Sequence, residues 1–207
     1  MKVNRSNLIL LATAAALCAP LAVAQDATST TTTTTTAKPK YTVNQRKENQ
    51  QQRIGEGVEN GSLTAAEAAK LEHKETNLNK EEKAMKADGN FTPAERAKLQ
   101  HQENKLSKDI YEQKHDAQKQ NLDPKSEVGK RQLEQQKRIG EGIENGSLNS
   151  REASRLETRE AGVNKEVAGM REANGGKLTP QERRLVNKQE NKNSRAIYRQ
   201  KHDKQHR

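Results

Sequence analysis

The chain contains one unit of about 85 residues twice. The segment RIGEGVENGSL at residues 53–63 returns as RIGEGIENGSL at residues 138–148. The far end of the unit, IYEQKHD at residues 110–116, returns as IYRQKHD at residues 197–203. The offset between the copies grows from 85 to 87 residues, and the two extra residues fall within residues 171–177. Such self-similarity indicates a fold built from two similar structural units.

Each unit is predicted to be helical, in the order helix, turn, helix, turn, helix. The turns combine Gly with Asn or Asp, which tolerate the positive φ that ends a helix. They are Asn60-Gly61-Ser62, Asp88-Gly89-Asn90, Asn145-Gly146-Ser147 and Asn174-Gly175-Gly176. A capping box follows each turn. The four boxes pair Thr64 with Glu67, Thr92 with Glu95, Asn149 with Glu152, and Thr179 with Glu182. Four matching helix starts predict an all-α fold.

Apolar residues are too few for a large core, because only 29% of the chain is hydrophobic and 2% aromatic, against roughly half in an ordinary domain. The middle helices carry a narrow apolar seam with a seven-residue step. The seam consists of Leu71, Leu78, Met85, Leu156, Val163 and Met170. We therefore expect two thin bundles or extended hairpins, which self-association would complete. The second copy should be the less stable, since Asn193 replaces Leu106 and Gly162 and Gly169 interrupt its middle helix.

The glycines of the repeated RIGEG segment call for a separate explanation. Gly55 and Gly57 in the first copy match Gly140 and Gly142 in the second. Two helix-weakening residues within three positions, present in both copies, indicate close approach of another backbone or a helix end. A hinge beside a binding groove is the alternative.

The N-terminal 24 residues have the features of a secretory signal peptide. Lys2 and Arg5 precede an apolar run at residues 8–17, and Ala22-Val23-Ala24 is a small-x-small cleavage site. The run is too short to cross a bilayer, so we expect a periplasmic or secreted chain with no transmembrane segment after cleavage. Beyond the signal peptide, 1–24, the predicted parts are a disordered Thr-rich linker, 25–44, helical repeat 1, 45–120, a linker and start of repeat 2, 121–134, and helical repeat 2, 135–207.

The glycine turns resemble the second half of an EF-hand calcium loop. In residues 88–95 the acid, the Gly, the apolar residue and the final Glu have EF-hand spacing. Ala84 and Lys86 occupy the positions that would supply the first two ligands, so half of the ligand set is lacking. A capping box accounts for the surviving Glu without a metal. In the calcium-binding alternative, the candidate ligands are Asn60, Glu67, Asp88, Glu95, Asn145, Glu152 and Glu182.

The helix starts also resemble the Leu-Thr-x-x-Gln motifs of the small periplasmic helical chaperone and metal-stress family. They read LTAAE at residues 63–67, FTPAE at residues 91–95 and LTPQE at residues 178–182, with Glu in place of the usual Gln. This resemblance implies a periplasmic helical protein that holds other chains. Residues 45–206 further resemble exported proteobacterial tandem-repeat helical proteins whose function is not established.

The repeated tail places three chemically active residues in the same arrangement in both copies. They are Tyr111, His115 and Asp116, and Tyr198, His202 and Asp203. A metal site needs three or four convergent ligands, and the tail offers no third one nearby. We therefore favour a role at a helix C-terminus, where the cationic Lys-His pair interacts favourably with the helix dipole.

The two copies differ in charge. Residues 50–118 contain 11 basic and 13 acidic residues, giving −2, whereas residues 135–205 contain 16 and 10, giving +6. Polyanion binding is therefore not a property that both copies share, and the scarcity of aromatic residues argues against nucleic acid. Most of the remaining charge is expected to lie on solvated helix faces.

The sequence contains no nucleophile with a base and an orienting group and no phosphate-binding glycine loop. An enzyme is therefore not expected, and no cofactor is predicted apart from calcium in the alternative above. We predict a non-enzymatic exported protein that makes chaperone-like or scaffold contacts with envelope proteins through the apolar seam. The alternatives are calcium binding by the turns and binding of anionic envelope polymers by the basic second repeat.

Overall fold

The computed structural model describes residues 42–205, which form six α-helices and no strand. The helices are α1 (Val43–Glu59), α2 (Ala65–Met85), α3 (Pro93–His115), α4 (Glu127–Glu144), α5 (Ser150–Ala173) and α6 (Pro180–Lys201). The all-α prediction is confirmed. The predicted signal peptide and most of the predicted linker lie outside the described residues. Helices α1 and α4 begin inside the segments that we predicted as linkers, 25–44 and 121–134. None of the six helices is both long and apolar enough to cross a membrane.

The helix starts follow the predicted chemistry. Reciprocal capping boxes begin α2, α3, α5 and α6 at the four predicted pairs. A fifth box, between Thr42 and Gln45, begins α1. The sequence did not reveal it, because Thr42 belongs to the predicted linker. The turn glycines have positive φ, as predicted, at Gly61, Gly89, Gly146, Gly175 and Gly176.

Helices of different repeats make the most extensive contacts, α1 with α4 and α2 with α5. One hydrophobic core therefore contains residues from both repeats, among them Ile54, Leu71, Ile139 and Leu156. A smaller apolar cluster of Val128, Val163, Val167 and Val186 lies at the far end of the second repeat. The apolar seam is thus buried within the chain: Leu71, Leu78 and Leu156 lie in the core that both repeats share, and Val163 and Met170 pack in the cluster of the second repeat.

Glycine allows α1 and α4 to approach closely. A Cβ atom on Gly55 would lie 2.9 Å from the carbonyl oxygen of Gly140, and one on Gly140 would lie 2.9 Å from that of Gly55. A Cβ on Gly57 would meet Leu63 at 2.6 Å, and the second repeat has the same contact. The predicted close backbone approach is confirmed. Gly55 and Gly140 form the crossing of the two helices, and the second glycine of each repeat leaves room for the leucine that follows the turn.

Several glutamates are buried, although we expected most of the charge to lie on solvated helix faces. Glu72 and Glu157 have no exposed surface, and Glu75, Glu103 and Glu160 are almost as fully enclosed. On α2 and α5 the carboxylates alternate with apolar seam residues. They came inside because the contact between the repeats covers a wider stripe than the apolar residues alone define.

Candidate anion-binding surface

The carboxylates that we considered as calcium ligands are used by the helix caps. Glu67 accepts hydrogen bonds from the backbone N–H of Thr64 at 2.9 Å and from its hydroxyl at 2.8 Å. Glu95 and Glu182 make the same two contacts with their threonines. Glu152 accepts from the backbone N–H of Asn149 at 3.1 Å. Each acid therefore satisfies a backbone donor that the first turn of a helix leaves unpaired.

The turn residues are engaged in the same local way. Asn60, Asp88 and Asn145 each accept a hydrogen bond from the backbone N–H two residues later, at 2.9 Å in all three turns. The seven candidate ligands are therefore spread over separate turns and caps. Within residues 42–205, no group of three or more His, Cys, Asp and Glu side chains is arranged to hold a metal ion.

The repeated tail forms the same structure in both repeats. The rings of Tyr111 and His115 stack with centroids 4.1 Å apart, as do those of Tyr198 and His202. Each imidazole Nδ1 lies 2.7 Å from the carbonyl oxygen of its tyrosine. The aspartates that follow, Asp116 and Asp203, each accept the backbone N–H two residues later at 2.8 Å. The tail thus ends a helix and holds each tyrosine on the surface, 59% and 62% exposed.

A cluster of arginines covers the outer faces of α5 and α6. Arg155 and Arg159 lie one turn apart on α5, and Arg195 and Arg199 lie one turn apart on α6. Residues four apart share one face of a helix, so each pair points to one side. All four side chains are exposed. We call these four residues the arginine surface.

Two neighbouring grooves join the members of the arginine surface. Arg155, Arg159 and Arg199 line a groove of about 280 Å³ between α5 and α6, together with the buried Leu156 and Ala196. A second groove, of about 490 Å³, is lined by Arg138, Ser194, Arg195, Tyr198 and Arg199. Arg199 belongs to both grooves, which makes the arginines one continuous basic region.

No acidic side chain in the described part of the chain forms an ion pair with any of the four arginines. Glu152 lines the first groove, but it is buried and engaged by its cap. Burial and the charge of Asp203 raise the pKa of Glu152, against the opposing effects of Asn149 and Arg155. The guanidinium groups are therefore available to an external anion.

On the equivalent surface of the first repeat, two of the three lysines, Lys74 and Lys108, are paired with acids. Lys74 of α2 forms an ion pair with Asp109 of α3 at 2.7 Å, and Lys108 forms one with Glu112 at 3.5 Å. In the second repeat, Ala196 takes the place of Asp109 and Arg199 takes that of Glu112. The same helix faces thus present mostly paired charges on the first repeat and unpaired arginines on the second.

The net charges of the two copies indicate the difference between them but not where on the surface it lies. Alignment of the two copies position by position would have shown that both acids of this surface are lost together. The apolar seam, which we predicted as the contact surface, lies inside: Leu71, Leu78, Leu156 and Val163 are buried, and Met85 is only partly exposed. Among the described residues, the exposed large hydrophobic side chains are Tyr111, Leu133, Leu185 and Tyr198.

No protein-family model, no curated protein and no solved structure matches this chain.

Proposed function

We propose that the chain is a non-enzymatic, exported protein that binds anionic envelope polymers through the arginine surface of its second repeat. One observation carries the proposal. The two acids that neutralise this surface in the first repeat, Asp109 and Glu112, are replaced by Ala196 and Arg199 in the second. The replacement removes both internal partners of the basic residues while the surrounding helices keep their arrangement.

The chemistry of arginine suits such a ligand. A guanidinium group stays charged and presents a planar set of donors that matches carboxylate or phosphate oxygens in pairs. The four groups are distributed over one turn on each of two helices rather than gathered around a point. This spacing fits a polymer with repeated anionic groups better than a single small anion. Because the arginines are exposed, the affinity should fall as salt is added.

A second candidate function is contact with other proteins, which our sequence analysis placed first. The buried seam does not offer a surface for it, but the two exposed tyrosines do. Tyr111 and Tyr198 occupy the same position in both repeats, each held by its stacked histidine. Tyrosine combines an apolar ring with a polar tip and is enriched in protein interfaces.

Retention on heparin or immobilised lipopolysaccharide, eluted with a salt gradient, tests the main proposal. The variant Ala196→Asp with Arg199→Glu gives the second repeat the acids of the first. Ala168→Glu with Lys188→Glu is the control, because it lowers the net charge equally at exposed positions nearer the other end of α5 and α6. We expect about tenfold weaker binding for the first variant, from the loss of charge-assisted contacts, and a small change for the control.

Equal weakening in the two variants would mean that net charge, not the arginine surface, governs retention. Retention that does not respond to salt would overturn the proposal altogether. Circular dichroism of both variants shows whether the helical fold is retained, so that a folding defect is not mistaken for a loss of binding.

A further inference from the structure

The interior of the molecule contains carboxylates at the same positions in both repeats. They are Glu72 and Glu75 on α2, Glu103 on α3, Glu157 and Glu160 on α5, and Glu190 on α6. None of the six is more than 1% exposed. An ionised carboxylate is strongly disfavoured in the interior unless it is paired with a cation or fully hydrogen-bonded. Burial therefore favours the protonated, neutral form of these glutamates in the folded chain.

Glu157 lies where the two repeats meet. Gln136 of α4 donates a hydrogen bond to one of its carboxylate oxygens at 3.1 Å, and the other oxygen has no hydrogen-bond partner. The charged groups that act on Glu157 are carboxylates, Glu160 of its own helix and Glu72 of α2. Gln51 of α1 donates to Glu72 at 3.2 Å, the same contact in the first repeat. Glu72 and Glu157 thus face each other across the contact between α2 and α5.

Neither carboxylate oxygen of Glu160 accepts a well-formed hydrogen bond, although the side-chain amide of Asn193 acts on it. The groups that face it are Glu190 and Asn193 from α6 and Arg138 from α4. Arg138 directs hydrogen bonds elsewhere, to the hydroxyl of Ser194 at 3.0 Å and to a backbone carbonyl. Burial, with the neighbouring charge of Glu190, raises the pKa of Glu160 to about 8, although Asn193 and Arg138 oppose the shift.

The other two carboxylates of the second repeat shift in the same direction. Burial raises the pKa of Glu157 well above its ordinary value, and Gln136 offsets this only in part. Burial also raises the pKa of Glu190, against the opposing effects of Gln135, Arg131 and Gln132. Arg131 donates to Asn191 rather than to a carboxylate. The cations nearest to this cluster therefore do not neutralise it.

We infer that Glu157 and Glu160 are proton-binding sites that make the packing of α5 against α2 and α6 depend on pH. With both acids protonated, α5 packs against these helices through neutral side chains. When the protons are lost, the packing must hold the charge of Glu157 against that of Glu72 on α2 and the charge of Glu160 against that of Glu190 on α6, and it opens. This inference does not rest on the proposed anion binding, because the buried cluster and the arginine surface are formed by different residues.

The direction of the effect follows from linkage. Glutamate has an ordinary pKa of 4.5, and Glu160 in the folded chain has a pKa of about 8. Between these values the folded chain binds more protons than the unfolded chain, so stability falls as pH rises from about 4.5 to about 8. Each pH unit of difference corresponds to a factor of ten, so Glu160 alone changes the unfolding equilibrium by on the order of 10³-fold.

Denaturant unfolding of the whole chain between pH 5 and pH 8.5, followed by circular dichroism, tests the inference. We expect the stability of the parent chain to fall over this range. The variant Glu157→Gln with Glu160→Gln removes two of the titrating groups and should weaken the dependence. The part that remains comes from the other buried carboxylates with a raised pKa, Glu103 and Glu190. Glu172→Gln, an exposed change on the same helix, is the matched control and should follow the parent. Amide hydrogen exchange, corrected for its intrinsic pH dependence, should show α2 and α5 losing protection at the higher pH.

Carboxyl carbon resonances of glutamate in the unmodified chain provide a measurement that does not depend on the variant folding. Titration of the assigned carboxyls of Glu157 and Glu160 well above pH 5 would support the inference. Titration of every glutamate near 4.5 would overturn it, as would a parent stability that does not change between pH 5 and pH 8.5. A double variant with the same pH dependence as the parent would also overturn it.

Discussion

The two repeats have the same arrangement of helices but differ in the side chains at several matching positions. At the far end of the first repeat, Glu82 forms ion pairs with Lys47 and Lys86. Although burial alone would raise the pKa of Glu82, hydrogen bonds from these two lysines lower it. The second repeat has Val167 in place of Glu82 and Gln132 in place of Lys47, and an apolar cluster closes this end.

The outer faces diverge in the same manner, from paired charges to unpaired arginines. By contrast, the glycine crossing, the capping boxes and the buried Gln–Glu contacts are the same in both repeats. The positions common to both repeats therefore hold the helices together, whereas the divergent positions determine which side chains each repeat presents to solvent. Functions that belong to one repeat should therefore be sought where the two differ.

The glycine crossing should give the largest effect if the shared positions carry the fold. In Gly140→Ala the new Cβ would meet the backbone oxygen of Gly55, so the helices must move apart, at a cost of about 2 kcal/mol. Gly162→Ala is the matched control, since a Cβ there would meet no other part of the molecule within 4 Å beyond its own stretch of helix, and it should gain up to about 1 kcal/mol from helix propensity. Urea unfolding of both variants gives the two free energies.

Opposite signs for these two alanine substitutions would establish that the crossing, not the helix, requires glycine at position 140. Equal effects would show that the fold does not depend on the close approach of α1 and α4. The glycines common to both repeats would then not be what holds the helices together. Gly55→Ala should repeat the result for Gly140, because each glycine meets the carbonyl oxygen of the other.

Local chemistry accounts for what could be predicted from the sequence. The helix caps and the positive-φ turns depend on residues within four positions of one another, and they were found where the sequence indicated. The partner of the Gly55 backbone could not be predicted, because it lies 85 residues away. The buried carboxylates were missed for a related reason. A glutamate on a helix is usually solvated, and only the packing of α2 on α5 encloses Glu72 and Glu157.

The reverse experiment gives the first repeat the side chains of the second and tests whether unpaired basic residues on this face are sufficient for binding. The variant Asp109→Ala with Glu112→Arg removes the partners of Lys74 and Lys108. If unpaired basic residues on this face suffice, the variant should bind heparin about tenfold more tightly than the parent, through added charge-assisted contacts. The salt concentration needed for elution measures the gain.

The control places the same charges elsewhere on the first repeat. If it binds heparin as tightly as the transplanted variant, binding depends on net charge and not on this helix face. Lysine presents a point charge whereas arginine presents a planar fork. The transplanted surface, which keeps lysine at positions 70, 74 and 108, should therefore remain weaker than the arginine surface of the second repeat.

The capping boxes should give the smallest effect, and they also test the calcium alternative. Thr64→Ala removes the oxygen that accepts the backbone N–H of Glu67 at 3.3 Å, which should cost about 1 kcal/mol. Asn149→Ala in the second repeat removes the same contact, made at 3.1 Å, and should cost a similar amount.

Because each acid is already engaged with its own helix start, neither the parent nor these variants should change in helicity or mass when calcium, zinc or a chelator is added. Circular dichroism and sedimentation measure both. A change at micromolar ion would instead mean that Glu67 or Glu152 leaves its cap to bind metal, and the two repeats would then differ in affinity according to the strength of the cap that each must give up.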